Sequence, residues 1–152
     1  MKGRNILRTL LCTIISTPVL AQDIPVTVAT QTTPVVVPAA SVKWTDLDPT
    51  GAPGVKVAVL WGDLQKGPFG AFLKLPAGFA APLHTHTHDM KLAIVSGTYI
   101  QAQEGKPEFR LGPGSYLLQP GGNYRHTTSC DRSSECLFFF ESAGGFDLHV
   151  VN

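Results

Sequence analysis

The spacing of glycine and proline constrains this chain more than any other feature. Its 152 residues include 15 Gly and 12 Pro, concentrated in DPTGAPG, KGPFG, LPAGFAAP, EGKPE, LGPGS and QPGG. Between these clusters lie short β-branched or aromatic runs: VKVAVLW (55–61), FGAFLKL (69–75), KLAIVSG (91–97), TYIQAQ (98–103), SYLLQ (115–119), LFFFES (137–142) and FDLHVV (146–151). Glycine and proline both interrupt helices, the first through backbone freedom and the second through its missing amide donor. After residue 21 no window of a dozen residues keeps a helical period without such a break. Short strands separated by turn signals predict an all-β sandwich or barrel.

The first residues follow another pattern. MKGRNILRTLLCTIISTPVLA (1–21) has a basic start at Lys2, Arg4 and Arg8, an apolar run from Ile6 to Leu20, and Val19 and Ala21 where small residues precede a cleavage point. That is the form of a cleaved secretory signal, too short and too interrupted for the ~20 apolar residues of a membrane span. The expected product is a periplasmic or secreted protein beginning at Gln22, with no span of its own. Residues 22–40, QDIPVTVATQTTPVVVPAA, read as a Pro/Val/Thr-rich segment with VVVPAA as a possible edge strand, ahead of one domain at 41–152. Loss of Lys2, Arg4 and Arg8 leaves fewer basic than acidic residues, which argues against nucleic acid and anionic membranes as partners.

Cysteine usage agrees with export. Cys12 leaves with the signal, and Cys130 and Cys136 remain as an even pair around DRSSE. In an oxidising compartment they are expected to form a disulfide, and closing so short a loop stabilises by about 2 kcal/mol in the chain-entropy model. The pair is spaced too widely for a zinc half-site, and no second half-site exists.

PLHTHTHDM (82–90) carries the chemistry. In a strand, His84, His86 and His88 project to one face, and Thr85 and Thr87 to the other. Imidazoles gathered inside a barrel are costly to charge, and neutral rings in a group most naturally share a divalent metal. One strand cannot complete the shell. His126, after the turn-rich GPGSYLLQPGGNYRH, is the expected partner from elsewhere; His149 ranks below it because no turn chemistry positions it. Phe138 and Phe140 should share one face and Phe139 the other, which suits a strand covered on both faces or near an oligomer contact, hence a possible homodimer.

These residues resemble a known family. GFAAPLHTHTHDMKLAIVSG (78–97) is similar to the first cupin motif, with Gly78, His84, His86 and Gly97 in register. GSYLLQPGGNYRH (114–126) is similar to the second, with Gly114, Pro120 and Gly122 in register and His126 one residue late. The resemblance implies that 41–152 is a cupin domain, a small β-barrel of the double-stranded β-helix or jelly-roll type, with a metal near one mouth. HTHTHDM is particularly similar to uncharacterised exported single-domain cupins related to the cupin half of zinc anti-sigma factors, and to three-histidine dioxygenases. The motif's glutamate falls on Met90 or Lys91, so the implied ligand set is His84, His86 and His126, with His88 as a fourth ligand or a near-shell base. Asp89 is expected in the second shell or at the surface. If His126 turns outward, Arg125 takes its place.

A cation held by neutral ligands keeps its full double charge and can polarise a carbonyl or activate water; zinc, iron, nickel and copper all suit imidazole. Tyr99, Gln101 and Gln103 in one strand phase, with Tyr116, Gln119 and Arg125, are the residues expected to line a substrate site. Without clustered Arg or Lys, a neutral small molecule fits better than a phosphate. The leading expectation is a metal-dependent oxygenase or isomerase. The rivals are a non-catalytic periplasmic binder of metal or small ligand, and a metal-free structural barrel.

Overall fold

A computed structural model of the protein describes residues 33–151. The signal at 1–21 and most of the segment at 22–40 lie outside the described residues. The chain divides after Val35, and 36–152 form one compact unit.

Eleven strands make up this unit: β1 (Thr45–Asp48), β2 (Ala52–Gly62), β3 (Phe69–Leu75), β4 (Ala80–Thr85), β5 (Met90–Ser96), β6 (Tyr99–Gln103), β7 (Phe109–Leu111), β8 (Tyr116–Gln119), β9 (His126–Cys130), β10 (Cys136–Ser142) and β11 (His149–Val150). They form a six-stranded sheet in the order β1-β2-β3-β10-β5-β8 and a five-stranded sheet in the order β11-β4-β9-β6-β7. Every pairing is antiparallel. The only helix among the described residues is a single 3-10 turn, Ala39–Ser41. It falls in VVVPAA, where an edge strand was expected. No helix of the described residues is long and apolar enough to cross a membrane.

The large sheet supplies the apolar wall. Along β3, β5 and β10 burial alternates with the pleat, so Ala71, Leu73, Leu92, Ile94, Phe138 and Phe140 point inward. Phe140 meets Phe69 edge-on at 5.1 Å and Phe138 meets Tyr99 of the other sheet at 5.3 Å. Edge-to-face contacts of this kind add to plain area burial. Phe139 lies in the opposite phase, in register with Phe72, Ala93 and, one strand further, Tyr116.

The small sheet carries the buried polar residues His84, Gln101 and His126. Cys130 ends β9, Cys136 begins β10, and the two form a disulfide that joins the sheets. Both sulfur-bearing residues are buried.

Candidate metal centre

His84 on β4 and His126 at the start of β9 are direct register partners, so the strand ladder itself places the two rings together. The pairing is irregular just before this point. Three steps on β4, from Ala81 to His84, answer two on β9, from Thr128 to His126. This bulge contains Pro82, which has no amide hydrogen to give to a ladder. The late arrival of His126 relative to the cupin spacing is thus matched by an extra residue in the opposite strand, and His126 points inward.

His86 lies one residue beyond the end of β4. Its ring sits 4.9 Å from that of His84 and 5.4 Å from that of His126, and the His84 and His126 rings are 4.3 Å apart. One ring nitrogen of each lies within 4.8 Å of the others, the spacing of a group that can hold a metal ion. All three are buried, His126 completely.

The remaining ring nitrogens define the tautomers. Nδ1 of His84 donates to the carbonyl of Pro82 at 2.7 Å, Nδ1 of His126 to that of Tyr124 at 3.1 Å, and Nδ1 of His86 to that of Asp147. A carbonyl oxygen only accepts, so each Nδ1 carries the hydrogen and each Nε2 keeps its lone pair. Such carbonyl contacts orient ligating histidines in metal sites. The Nε2 of His126 is buried with no hydrogen-bond partner. Burial is also the main reason the imidazoles resist protonation: it lowers His84, and it brings His86 and His126 down to about 4. Three neutral rings with converging acceptors and no donor among them fit a divalent cation.

The loops that carry His86 and His126 are tied together. Gly122 N–H donates to the His86 carbonyl at 2.8 Å, and Gly121 N–H donates to Asp89 Oδ1 at 2.7 Å. A side chain at Gly121 would collide with the backbone of Thr87 and His88, so the approach requires glycine. On the other side, the ring of Phe146 lies 5.5 Å from that of His86. Tyr124 stacks on His126 at 5.1 Å.

Other expected site residues fall elsewhere. His88 does not share the face of His84 and His86: the strand ends at Thr85, a bend covers Thr87 and His88, and the exposed His88 ring rests against Gly144. It is not part of the three-histidine group. Asp89 is an exposed loop tie, and His149 is exposed beside Asp147 at 3.2 Å. Arg125 points away and pairs with Glu104 at 2.9 Å. Tyr116 lies on the outer face of the large sheet and Gln103 is exposed at the end of β6, so neither lines the interior.

Tyr99, Gln101 and Gln119 do face inward and are buried. Tyr99 and Gln119 line a cavity of about 80 Å³ together with His84 and His86. The Tyr99 hydroxyl donates to Gln101 Oε1 at 3.2 Å and lies 3.2 Å from Thr128 Oγ1. Burial raises its pKa, so it remains a neutral phenol. Apolar residues, among them Leu92, Phe138, Phe140 and Phe146, form most of the remaining lining, and no lysine, arginine or carboxylate takes part. Phe146 and Thr128 were not foreseen; each follows from its neighbour in the fold and has no local signal of its own.

Comparison with known proteins places this geometry in a fold. The chain is similar to the dimethylsulfoniopropionate lyase DddQ of Ruegeria pomeroyi, 33% identical over 74 residues, which span 45% of this chain and 37% of the lyase. It thus matches little more than a third of that relative's length. The crystal structure of the same lyase superposes with a TM-score of 0.56 at 23% identity, covering 69% of this chain and 57% of the lyase. The polyketide cyclase RemF of Streptomyces resistomycificus gives a TM-score of 0.65 at 16% identity, covering 80% and 87%. A cupin-2 domain protein of Rhodospirillum rubrum gives 0.61 at 15%, covering 81% and 84%. The fold is the cupin jelly roll, and, with residues 16–149 matching the family described as a domain of unknown function, DUF4437, the chain belongs to that family.

Proposed function

We propose that this protein is an exported, metal-dependent cupin enzyme that rearranges or cleaves a small, neutral organic molecule without net oxidation. His84, His86 and His126 hold one divalent cation through their Nε2 atoms. The observation that carries this reading is the buried, partnerless Nε2 of His126, set against two further neutral imidazoles whose Nδ1 atoms are engaged by backbone carbonyls. Zinc, iron, nickel and copper all suit the ligand set, and the likeness of HTHTHDM to zinc anti-sigma cupins favours zinc. Two of the relatives are a lyase and a cyclase, which supports non-oxidative chemistry over an oxygenase.

The bound ion supplies Lewis acidity toward a substrate oxygen. The chain supplies the rest. Backbone carbonyls fix the three ring tautomers, so the ligands need no reorganisation. Leu92, Phe138, Phe140 and Phe146 give the cavity apolar walls, which strengthen electrostatic contacts made against them. Tyr99 stays protonated and offers a phenol, not a base. With Met90 in place of the motif carboxylate, no acidic side chain competes for the cation. The rival reading, a non-catalytic binder, needs a fourth protein ligand to close the shell, and His88 lies outside the group.

Elemental analysis of untagged mature protein tests the centre. One equivalent of metal is expected in the wild type, with loss in both His84→Ala and His126→Ala. Retention in His126→Ala would reject the ligand set. Turnover of small carbonyl compounds, abolished by chelation and restored by zinc, tests the enzyme; oxygen uptake during turnover would move the assignment to an oxygenase.

A further inference from the structure

We infer that Gln119 is the specificity-determining residue of this cavity: its side-chain amide donates to an oxygen of the substrate, which selects a small molecule with a carbonyl-type acceptor on an otherwise apolar body. This inference rests on the catalytic reading above for its chemistry, but the donor itself belongs to the chain whether or not metal is bound.

Four buried side-chain atoms among the described residues lack a hydrogen-bond partner: Nε2 of Gln101, Nε2 of Gln119, Nε of Arg125 and Nε2 of His126. Three of them have an account. His126 offers a metal-binding lone pair, Arg125 uses another nitrogen on Glu104, and Gln101, whose Nε2 stays unpaired, is not among the residues that line the cavity. Gln119 has none. Its residue is 1% exposed, and it lines the same cavity as His84 and His86. A buried amide left unpaired forfeits its hydration without compensation, so a position that keeps one has a reason or a missing partner.

Its place in the sheet indicates the partner. Gln119 ends β8 in direct register with Met90 at the start of β5. Met90 is one of the two positions on which the glutamate of the first cupin motif falls, it is apolar and buried, and the buried polar side chain opposite it is that of Gln119 on the adjacent strand. An amide differs from a carboxylate in one decisive respect, because it donates. The other walls near it are apolar, and the remaining polar neighbours, Tyr99 and Thr128, are occupied with one another. Among the cavity-lining residues, a substrate oxygen directed toward the histidine group would therefore meet one free donor, from Gln119. The cavity of about 80 Å³ limits the body. It corresponds to two or three waters at about 30 Å³ each, and is smaller than the cavity of about 150 Å³ that takes benzene. About five non-hydrogen atoms fit.

Butanone, a neutral ketone of that size, is the probe. Its binding is followed by NMR in metal-free and zinc-loaded protein, for the wild type, for Gln119→Met, which keeps the shape without the donor, and for Gln119→Glu. The expected result is a saturable shift of the Gln119 side-chain amide resonance in the wild type. Affinity should fall about fivefold or more in Gln119→Met with unchanged zinc content. Equal affinity in wild type and Gln119→Met overturns the inference. Loss of zinc in Gln119→Met also overturns it, by making the residue a ligand. If Gln119→Met does not fold, Gln119→Glu decides: weaker butanone binding supports the inference, and undiminished binding defeats it. Wild-type protein that takes up no zinc defeats the metal reading alone, and the metal-free titration still decides for Gln119.

Discussion

At the scale of single residues, two histidines two positions apart have different fates. His86→Ala should abolish metal binding. His88→Ala should leave metal content intact and change stability by less than about 0.5 kcal/mol, because its exposed ring only rests on Gly144. Parallel metal analysis and urea denaturation check both. Strict alternation gave the two residues one face, and it was reliable only while the strand lasted. The strand stops at Thr85 because Asp89 and the His86 carbonyl are engaged by Gly121 and Gly122, residues more than thirty positions away that no local pattern connects to them. Gly97 gives a sharper expectation. It has φ +76°, and a Cβ there would sit 2.4 Å from the Glu135 carbonyl oxygen. Gly97→Ala should therefore cost at least about 2 kcal/mol in the same denaturation experiment.

At the scale of elements, the clearest strands in the sequence are those of the large sheet, β2, β3, β5 and β10, where apolar residues alternate between turn signals. β1, β7 and β9 were not legible, since TDLD, FRL and HTTSC lack that alternation. β9 carries polar residues inward because His126 belongs to the histidine group and Thr128 lines the cavity. VVVPAA fails as a strand for the opposite reason: it is β-branched but flanked and interrupted by proline, and Val35 and Val36 are exposed. The pairing of His84 with His126 required the bulge in β4, and spacing within either motif could not reveal it. The disulfide was legible from count and context. Replacing Cys130 and Cys136 together by Ala should lower stability by about 2 kcal/mol. Because the bond lies at the far end of β9 from His126, zinc content should be retained, as elemental analysis of the double variant would show.

At the scale of the whole molecule, the histidine group links acidity, metal and stability. Below the ordinary imidazole value of 6.5, an unfolded chain takes up protons on these residues, while burial keeps His86 and His126 neutral in the folded state down to about 4. The unfolded state then binds more protons, so the stability of metal-free protein should fall as pH drops from 6.5 toward 4. Thermal melts of chelated protein at several pH values across this window check the sign. Zinc should raise the melting temperature of the wild type at pH 7.5 and leave that of His126→Ala unchanged. The fold class and the three-histidine group could be read from the sequence; the cavity, its polar inventory and the packing of Phe146 depend on contacts between distant segments. One of those contacts has a temporal meaning. The oxygen that orients His86 belongs to Asp147, 61 residues downstream, so in a nascent chain the His86 ring gains this anchor only after residue 147 has been made and has docked. On the proposed metal reading, the fully oriented triad would meet a cation only late in folding, after the last strands have closed over it.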